Sequence, residues 1–139
     1  AFKGCTIFKP NLKEVKEGLK MEIPTVNLSQ LTNVDTALRN HLQHQISFIT
    51  LSEHGVYYGG VEGHKLIPTH IRNIADVSGA GDSVLSVAAL CVACGVSDEL
   101  TAALSNLAGG IVCEQVGVVP IDKDLLYAEA MELEVSERY

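Results

Sequence analysis

One stretch combines residue types suited to chemistry, Asp76-Val77-Ser78-Gly79-Ala80-Gly81-Asp82, and an apolar run follows it directly. Gly79 and Gly81 lack a Cβ, so the backbone can turn sharply there and approach a ligand closely. A helix beginning near Asp82 would point unpaired N–H groups and the positive end of its dipole at the same place. The pattern therefore predicts a site for an anion such as a phosphate.

Asp82 gives this site a second property. A carboxylate at a site for anions repels the ligand unless it performs chemical work, such as taking a proton. The alternative is that Asp82 only caps the helix while Gly79 and Gly81 only form a turn. Spacing alone leaves both interpretations open.

Six of the seven residues from Asp76 to Asp82 match the pattern D-[T/S]-[T/S]-G-A-G-D, and Val77 is the position that differs. The stretch therefore resembles the second signature of the ribokinase (PfkB) family of carbohydrate kinases. In that family the last aspartate deprotonates the sugar hydroxyl, and the G-A-G amides bind the transferring phosphoryl group. The resemblance implies that Asp82 is the catalytic base and that Gly79, Ala80 and Gly81 form the anion hole.

A second motif lies near the beginning of the chain, at Phe8-Lys9-Pro10-Asn11-Leu12-Lys13-Glu14. Asn11 is a good N-cap and Glu14 stands three residues later, so the pair predicts a variant of the capping box. The string also resembles the N-x-x-E motif of the same family. That resemblance implies that Asn11 and Glu14 order Mg²⁺ and its waters around the phosphates, and Mg²⁺ is often held through one or two carboxylates. Capping alone accounts for the two residues equally well.

Two further segments resemble nucleotide-binding parts of the family. Thr50-Leu51-Ser52-Glu53-His54-Gly55-Val56 is similar to T-L-G-x-x-G-V, with Ser52 in place of the first glycine. The resemblance implies that Thr50, Ser52 and Gly55 line the ATP site. Asn106 is a polar exception in an otherwise apolar helix pattern, and the family has an asparagine in this helix that borders the adenine pocket.

The resemblance also implies a monovalent cation beside the phosphate loop. Asp76 and Ser78 match positions whose oxygens ligate K⁺ in several members of the family. Backbone carbonyls near Cys113 and Gly117 are expected to complete the shell.

Length and composition restrict the class of protein. The chain has 139 residues, 47% of them hydrophobic, and a mean hydropathy of +0.20, which predict one compact globular domain. A net charge of −7 argues against a nucleic-acid partner, because binding to a phosphate backbone needs clustered Lys and Arg. The longest apolar run is well short of the ~20 residues that span a membrane, so we expect no membrane partner and no signal peptide. A cytoplasmic protein is expected because the cysteines are interpreted as reduced thiols. Because the chain begins with Ala1 instead of Met, we expect a fragment or a processed form.

Cysteines and histidines raise the question of a metal or redox site. Cys91 and Cys94 form a C-x-x-C, but zinc would need further ligands at suitable spacing, so we interpret them as small apolar residues of a buried helix with reduced thiols. His41 and His44 stand three apart in a predicted helix, where a solvated polar face is favoured over a metal site. The remaining histidines are predicted to lie in loops: His54, His64 and His70.

Periodicity and capping residues predict the elements that position these motifs. The predicted elements are a strand at Thr6 to Phe8, a helix capped by Asn11, a helix from Leu28 to about His44, a strand from Ile46 to Leu51, a hairpin of Val56 to Tyr58 with Lys65 to Ile67, a central helix buried on all sides that Gly95 ends, a helix capped by Ser97, a strand at Gly117 to Val119 and a helix capped by Asp122.

Strands separated by helices predict an α/β layer with a mostly parallel sheet, whose ligands collect beyond the carboxyl ends of the strands. The family resemblance implies a ribokinase-like three-layer α/β/α fold, of which residues 1–139 are the nucleotide-binding and catalytic C-terminal portion. The upstream half, which holds most sugar contacts in the family, is then an absent partner segment of the same polypeptide. We expect residues 1–139 alone to be inactive for that reason.

The resemblance implies that ATP and Mg²⁺, with K⁺, serve the phosphorylation of a sugar or sugar-phosphate hydroxyl. Within the family the two signature motifs look most like those of heptose-phosphate kinases of ADP-heptose synthesis. The alternative is a catalytically inactive nucleotide-binding module with a degenerate kinase fold, which Ser52 favours and the retained Asp82 and Glu14 oppose. A third hypothesis is a redox or metal protein that uses Cys91 and Cys94. For the oligomeric state, a homodimer is the assembly that we consider.

Overall fold

The computed structural model describes residues 3–69 and 73–138, without the side chains of 134–138. The chain divides into two compact units, Ala1–Thr69 and His70–Tyr139, where the sequence predicts one. Among the described residues, the stretch 73–77 lies outside every helix and strand, and each unit has its own packing.

The first unit contains a four-stranded sheet in the order β1-β2-β3-β4. Its elements are β1 (Ile7–Phe8), α1 (Leu12–Leu19), α2 (Leu28–Leu42), β2 (Ile46–Thr50), β3 (Val56–Gly60) and β4 (Gly63–Ile67). β1 and β2 pair in parallel, whereas β2–β3 and β3–β4 are antiparallel. The sheet is mixed and differs from the mostly parallel one predicted. Helices α1 and α2 lie between β1 and β2 in the chain, and this long connection allows the two strands to run parallel. The connections after β2 and after β3 are short, so the strands that they join must be antiparallel.

Local signals fix the ends of both helices in this unit. The side chains of Asn11 and Glu14 form the predicted capping box at the start of α1. Asn27 caps α2, accepting a hydrogen bond from the Gln30 amide at 2.8 Å. Helix α2 ends at Leu42, and Gln43 follows in the left-handed conformation with φ 54°. The predicted end near His44 is thus correct to within two residues.

The core of the first unit lies between α2 and the sheet. Leu31, Val34 and Leu38 recur along one face of α2, and Leu31 is fully buried. The core also includes Val15, Ile23, Ile49, Leu51 and Tyr57. Burying each large aliphatic side chain contributes about 1.5–3 kcal/mol, which fixes the helix on the sheet.

A buried polar group interrupts this apolar face. The carboxylate of Asp35 is fully buried and receives hydrogen bonds from the Ser47 hydroxyl, from Arg39 Nε at 3.0 Å and from the Tyr57 hydroxyl at 3.1 Å. His64 Nδ1 lies 2.7 Å from the Tyr57 hydroxyl. These five residues, the Asp35 cluster, join α2 to strands β2, β3 and β4. Burial, with the Asp35 charge, raises the pKa of Tyr57 far above its ordinary value, so the phenol stays protonated as a donor.

The Arg39 guanidinium extends the cluster to the backbone. It donates to the carbonyl of Gln45 at 2.8 Å and to the carbonyl of Gly59 at 2.6 Å. Arg39, paired with the buried Asp35, therefore ties α2 to the residue before β2 and to the end of β3. Pairing and hydrogen bonding of this kind are what make a buried carboxylate tolerable.

Two of the histidine predictions are wrong. His44 follows α2 in the chain and is buried, with its Nε2 hydrogen-bonded to the Ser47 hydroxyl. It does not lie on a solvated helix face. His64 lies in strand β4 and stacks on Tyr57 with ring centroids 6.1 Å apart, so it is not a loop residue. His41 is exposed on α2 as predicted, and His54 is in a short 3₁₀ turn. His70 is outside the described residues.

The second unit consists of α3 (Ala80–Ala93), α4 (Asp98–Cys113) and α5 (Lys123–Arg138). Its helix boundaries follow the sequence signals. Gly95 turns the chain after α3 with φ 70°. Ser97 caps α4 by accepting from the Leu100 amide at 3.4 Å. Asp122 caps α5, accepting from the amides of Asp124 and Leu125 at 2.9 and 3.1 Å.

Helix α3 is not buried on all sides, contrary to the prediction. Val84, Ala88 and Cys91 are buried along one face, whereas Leu85 and Leu90 are 40% and 65% exposed. The buried face packs closely on α4, because a Cβ at Gly109 would lie only 2.6 Å from Val84 Cγ2. Packing on a single neighbouring helix covers one face of a helix and leaves the opposite face open.

The strand predicted at Gly117 to Val119 is also absent from the described residues, which form a bend there. Gly117 has φ 82°, and its amide donates to the Asp76 carboxylate at 3.0 Å instead of to another strand. Over the two described ranges, no helix has the length and apolar character needed to cross a membrane.

Candidate active site

The predicted anion loop leads into α3 as expected. Gly79 is the N-cap of α3 and adopts the left-handed conformation with φ 77°, which glycine reaches without steric cost. The first intrahelical bond runs from the Ser83 amide to the Gly79 carbonyl at 3.0 Å. In the described part of the chain no side chain caps this helix end. The Ala80 amide donates to the Val77 carbonyl at 3.3 Å, so the remaining amides of the first turn are the place where an anion can accept hydrogen bonds.

Asp82 is the third residue of α3 and does not cap it. Because Gly79 occupies the N-cap position, the interpretation of Asp82 as a mere cap is wrong. The Asp82 side chain is exposed, and its carboxylate makes no hydrogen bond with any residue that the structure describes. An exposed carboxylate beside the positive end of a helix can meet a hydroxyl group and a phosphate at the same time.

Asp76 holds the loop that precedes the helix. Its Oδ1 accepts from the Ser78 amide at 2.9 Å and the Ser78 hydroxyl at 2.8 Å, and its Oδ2 accepts from the Gly117 amide at 3.0 Å. These bonds, led by the one from the Ser78 amide, lower the pKa of Asp76, so the carboxylate is ionised at neutral pH. The amides of Ala75 and Asp76 both donate to the Cys113 carbonyl, at 2.8 and 3.2 Å. The structure thus brings together the four residues predicted near a monovalent cation.

Val77 is the one departure from the family pattern in this loop. Its side chain is 68% exposed and takes part in none of the hydrogen bonds that shape the loop. The Val77 backbone contributes instead, because its carbonyl accepts from the Ala80 amide at 3.3 Å.

Asn106 lies in the middle of α4 and is partly buried. It stands between two buried residues, Ser105 and Leu107. Its position at the margin of the buried face agrees with the polar exception seen in the sequence, and its contact with adenine remains a prediction.

In the first unit, the structure brings Asn11 and Thr50 together. The backbones of the two residues form a parallel bridge, and the Thr50 amide donates to the Pro10 carbonyl at 3.0 Å. Both residues follow or end a strand of the parallel pair β1–β2, where α/β proteins collect ligands. Asn11 and Glu14 cap α1 reciprocally, each amide donating to the other side chain at 2.8 Å. Only Glu14 Oε2 is used in this way, which leaves the other carboxylate oxygen outside the capping box.

Residues 51–55, named the nucleotide loop because they are predicted to line the ATP site, form a tight turn between β2 and β3. Gly55 has φ 90° and ψ −133°, and a Cβ there would lie 1.9 Å from the Ile67 carbonyl oxygen, so only glycine fits. Ser52 has φ 53°, and its carbonyl accepts from the Gly55 amide and from the Thr69 hydroxyl, each at 3.1 Å. Sequence reasoning missed Thr69. The sequence did contain a signal, because Ser52 stands where the family pattern has glycine. A serine in a conformation that favours glycine needs a supporting contact from another part of the chain.

The cysteines form no metal or disulfide site in the described residues. None of the four forms a disulfide within the described ranges, and no three His, Cys, Asp or Glu side chains of those ranges lie close enough together to hold a metal ion. Burial raises the pKa of Cys91, as expected for a structural thiol. Cys94, at the end of α3, is exposed, so the prediction that it is buried is wrong.

Comparison with known proteins identifies the family. The profile of the pfkB family carbohydrate kinases matches residues 1–124. This chain belongs to the PfkB family. A relative with 35% identity over 129 residues is the bifunctional protein HldE of Geotalea uraniireducens (strain Rf4), and the match covers 92% of this PfkB chain and 26% of the relative. The chain thus spans about a quarter of that protein.

Solved structures show the fold of this PfkB chain. Phosphofructokinase-2 from Escherichia coli in complex with potassium matches with a TM-score of 0.81 and 18% identity, over 91% of this chain and 40% of that one. Ribokinase from Arabidopsis thaliana, complexed with ribose and ATP, matches with a TM-score of 0.76 and 20% identity, over 88% and 40% of the two chains. The predicted ribokinase-like α/β fold class is confirmed, and this chain forms a part of that fold.

Proposed function

We propose that this PfkB chain carries the ATP site and the catalytic base of a kinase that phosphorylates a hydroxyl group of a sugar or sugar phosphate. One observation carries the proposal. The first turn of α3 has no side-chain cap among the described residues, and the exposed Asp82 carboxylate stands in that same turn. An anion site and a proton acceptor are therefore built from adjacent residues.

The backbone from Gly79 to Gly81 is the part that would bind the transferring phosphoryl group. Its amides lie at the positive end of the α3 dipole, which favours negative charge. Because Gly79 is held in the left-handed conformation and packs on Val118, 3.1 Å from the position of a Cβ, the loop is shaped before a ligand arrives. A preformed set of donors stabilises charge without reorganisation during the reaction.

Asp82 is assigned as the general base. It takes the proton of the acceptor hydroxyl as the bond from that oxygen to the γ-phosphorus forms, while the bond from the γ-phosphorus to the bridging oxygen of ADP breaks. The products are then the phosphorylated sugar and ADP. Assistance of this kind contributes about 10²- to 10⁴-fold to the rate.

We assign ATP binding to Thr50, Ser52 and Gly55, and to Asn106 of α4. The support is the tight, glycine-dependent turn at residues 51–55 and its similarity to the T-L-G-x-x-G-V segment of the family.

Two metal ions suit the oxygen donors of these segments. Glu14 is exposed and has one carboxylate oxygen outside the capping box, which suits contact with a water molecule of hydrated Mg²⁺. Asn11, its partner in the capping box, is assigned to the same Mg²⁺ site. When bound, Mg²⁺ neutralises phosphate charge.

Asp76 and Ser78 provide ionised and hydroxyl oxygens beside the Cys113 carbonyl, as a K⁺ site requires.

The acceptor would be held largely by a preceding part of the same polypeptide, because this chain covers only 40% of the ribokinase-like chains that it matches. A heptose phosphate is the proposed acceptor, on the resemblance of the two signature motifs. Action in the cytoplasm and assembly as a homodimer complete the proposal.

The test is phosphoryl transfer by the complete polypeptide. ADP release is measured with ATP, Mg²⁺ and a panel of sugars and sugar phosphates that includes a heptose phosphate. The proposal predicts ADP release that depends on the acceptor. Tight ATP binding without transfer to any acceptor would instead favour the inactive nucleotide-binding module.

A further inference from the structure

Ser52 has an unusual backbone conformation for its position. Three non-glycine residues in the described ranges have φ between 50° and 55°, and two of them, Lys20 and Gln43, are helix C-caps. Ser52 is the third and lies inside the nucleotide loop. A residue with a Cβ adopts the left-handed region at a steric cost, so neighbouring groups must hold it there.

Two donors converge on the carbonyl oxygen of Ser52. The Gly55 amide closes the turn within the loop at 3.1 Å. The Thr69 hydroxyl donates from outside the loop, also at 3.1 Å. Thr69 follows strand β4, whose last residue, Ile67, is in backbone contact with Gly55. The turn is therefore fixed against the residues that end this unit.

We propose that Thr69 is a positioning residue that holds Ser52 in the left-handed conformation and so shapes the nucleotide loop. A glycine at position 52 could adopt this conformation without support. Serine cannot do so without steric cost, and the hydrogen bond from the Thr69 hydroxyl offsets that cost. This inference rests on the proposed function, because the loop is assigned to ATP. It adds a residue outside every motif found in the sequence.

The first test removes the hydroxyl of Thr69 with little change in shape. In the complete polypeptide, Thr69→Val is expected to raise KM for ATP by about 3- to 10-fold, the effect of one lost hydrogen bond, with kcat within about twofold. Thr69→Ser keeps the hydroxyl and should restore the parental KM. Thr36→Val is the matched control, because the Thr36 hydroxyl bonds to the Thr32 carbonyl at 3.0 Å on α2, away from the loop.

The second test separates positioning from a general structural role. Glycine at position 52 adopts the left-handed conformation unaided. In a Ser52→Gly background, Thr69→Val should therefore change KM by less than about twofold relative to Ser52→Gly alone. The same loss in both backgrounds, or no loss in the parental one, would overturn the proposal.

Amide hydrogen exchange distinguishes a failure of this inference from a failure of the proposed function. The Gly55 amide donates to the carbonyl that Thr69 holds, so its exchange should accelerate in Thr69→Val but not when Ser52→Gly is also present. This pattern in a polypeptide without kinase activity would uphold the positioning role and reject the kinase. Unchanged exchange in Thr69→Val would reject the positioning role, whether or not the protein is a kinase.

Discussion

Gly59 lies so close to Asp35 that a Cβ at Gly59 would be 2.3 Å from the Asp35 Oδ2 atom. The two residues belong to β3 and α2, and Gly59 pairs with Ser47 and His64 on the neighbouring strands. The buried carboxylate therefore occupies the volume that any other residue at position 59 would need. Absence of a side chain at Gly59 is what allows α2 to place a charge against the sheet.

Gly59→Ala should destabilise the first unit. Inserting a methyl group against a buried, hydrogen-bonded carboxylate forces overpacking, at a cost of about 1–3 kcal/mol. Gly18→Ala is the matched control, because nothing lies within 4 Å of a Cβ there and Gly18 is in helix α1. That control should be neutral or stabilising by up to about 1 kcal/mol. Urea unfolding followed by tyrosine fluorescence measures both, and equal stabilities would contradict the packing described.

His44 should make the stability of the first unit sensitive to acid. Burial, with the nearby positive charge of Arg39, lowers the pKa of His44 below its ordinary value of 6.5, and Asp35 opposes this only in part. The unfolded chain therefore binds the proton at a higher pH than the folded one. Stability is retained above the ordinary pKa and falls as the pH drops through 6.5 toward the lowered pKa.

His44→Gln removes this titration and keeps a donor for Ser47. Its unfolding free energy should therefore depend less on pH than that of the parent between about pH 7 and pH 5. His41→Gln, on the exposed face of α2, should retain the parental slope. A parental slope in His44→Gln would show that the buried histidine does not control the acid response.

Glu14→Gln separates the two roles of the capping box. A glutamine still accepts from the Asn11 amide, so stability should change by less than about 0.5 kcal/mol. Loss of the charge should raise the Mg²⁺ concentration that gives half-maximal activity of the complete enzyme. Glu17→Gln, in an exposed pair with Lys13 on the same helix, should leave the Mg²⁺ requirement unchanged. A destabilised Glu14→Gln with unchanged Mg²⁺ dependence would leave capping as the only role.

Asp76 should make activity responsive to potassium. Adding K⁺ to complete enzyme freed of monovalent cations should change its activity severalfold, and Asp76→Asn should reduce this response because the ionised ligand is gone. Asp122→Asn, which alters the cap of α5 in the same way chemically, should keep the response. A flat titration of the parental enzyme would exclude a functional cation at this loop.

The parts that could be predicted from the sequence are those that depend on adjacent residues. Asn11, Ser97 and Asp122 cap helices where predicted, because a cap needs only its own side chain and the next few amides. The start of α3 follows from the glycines of one short motif. These local signals also located the residues of the candidate site.

The parts that could not be predicted depend on distant pairs. Asp35 and Tyr57 are 22 residues apart, so their bond is invisible to periodicity, although a charged residue within the apolar stripe of α2 was a signal. Thr69 supports Ser52 across 17 residues in the same way. The bend at Gly117 depends on Asp76, 41 residues earlier, which outweighs the local tendency of the valines toward a strand.

The central claim is that Asp82 is the base. Asp82→Asn should bind ATP at least as well as the parent, because the amide has the same shape and removes a negative charge near the phosphates. Its rate of phosphoryl transfer should fall by about 10²- to 10⁴-fold, which corresponds to roughly 3–5 kcal/mol of barrier. Asp124→Asn, an exposed first-turn acid of α5, is the matched control and should keep the parental rate.

The decisive measurement is the single-turnover rate of sugar phosphorylation by Asp82→Asn in the complete polypeptide, with residues 1–139 assayed beside it. We predict a rate at least about 100-fold below the parent with ATP binding intact, and no transfer by residues 1–139 alone. Transfer by Asp82→Asn within a few-fold of the parental rate would contradict the assignment of the base, and transfer by residues 1–139 would contradict the need for a preceding segment.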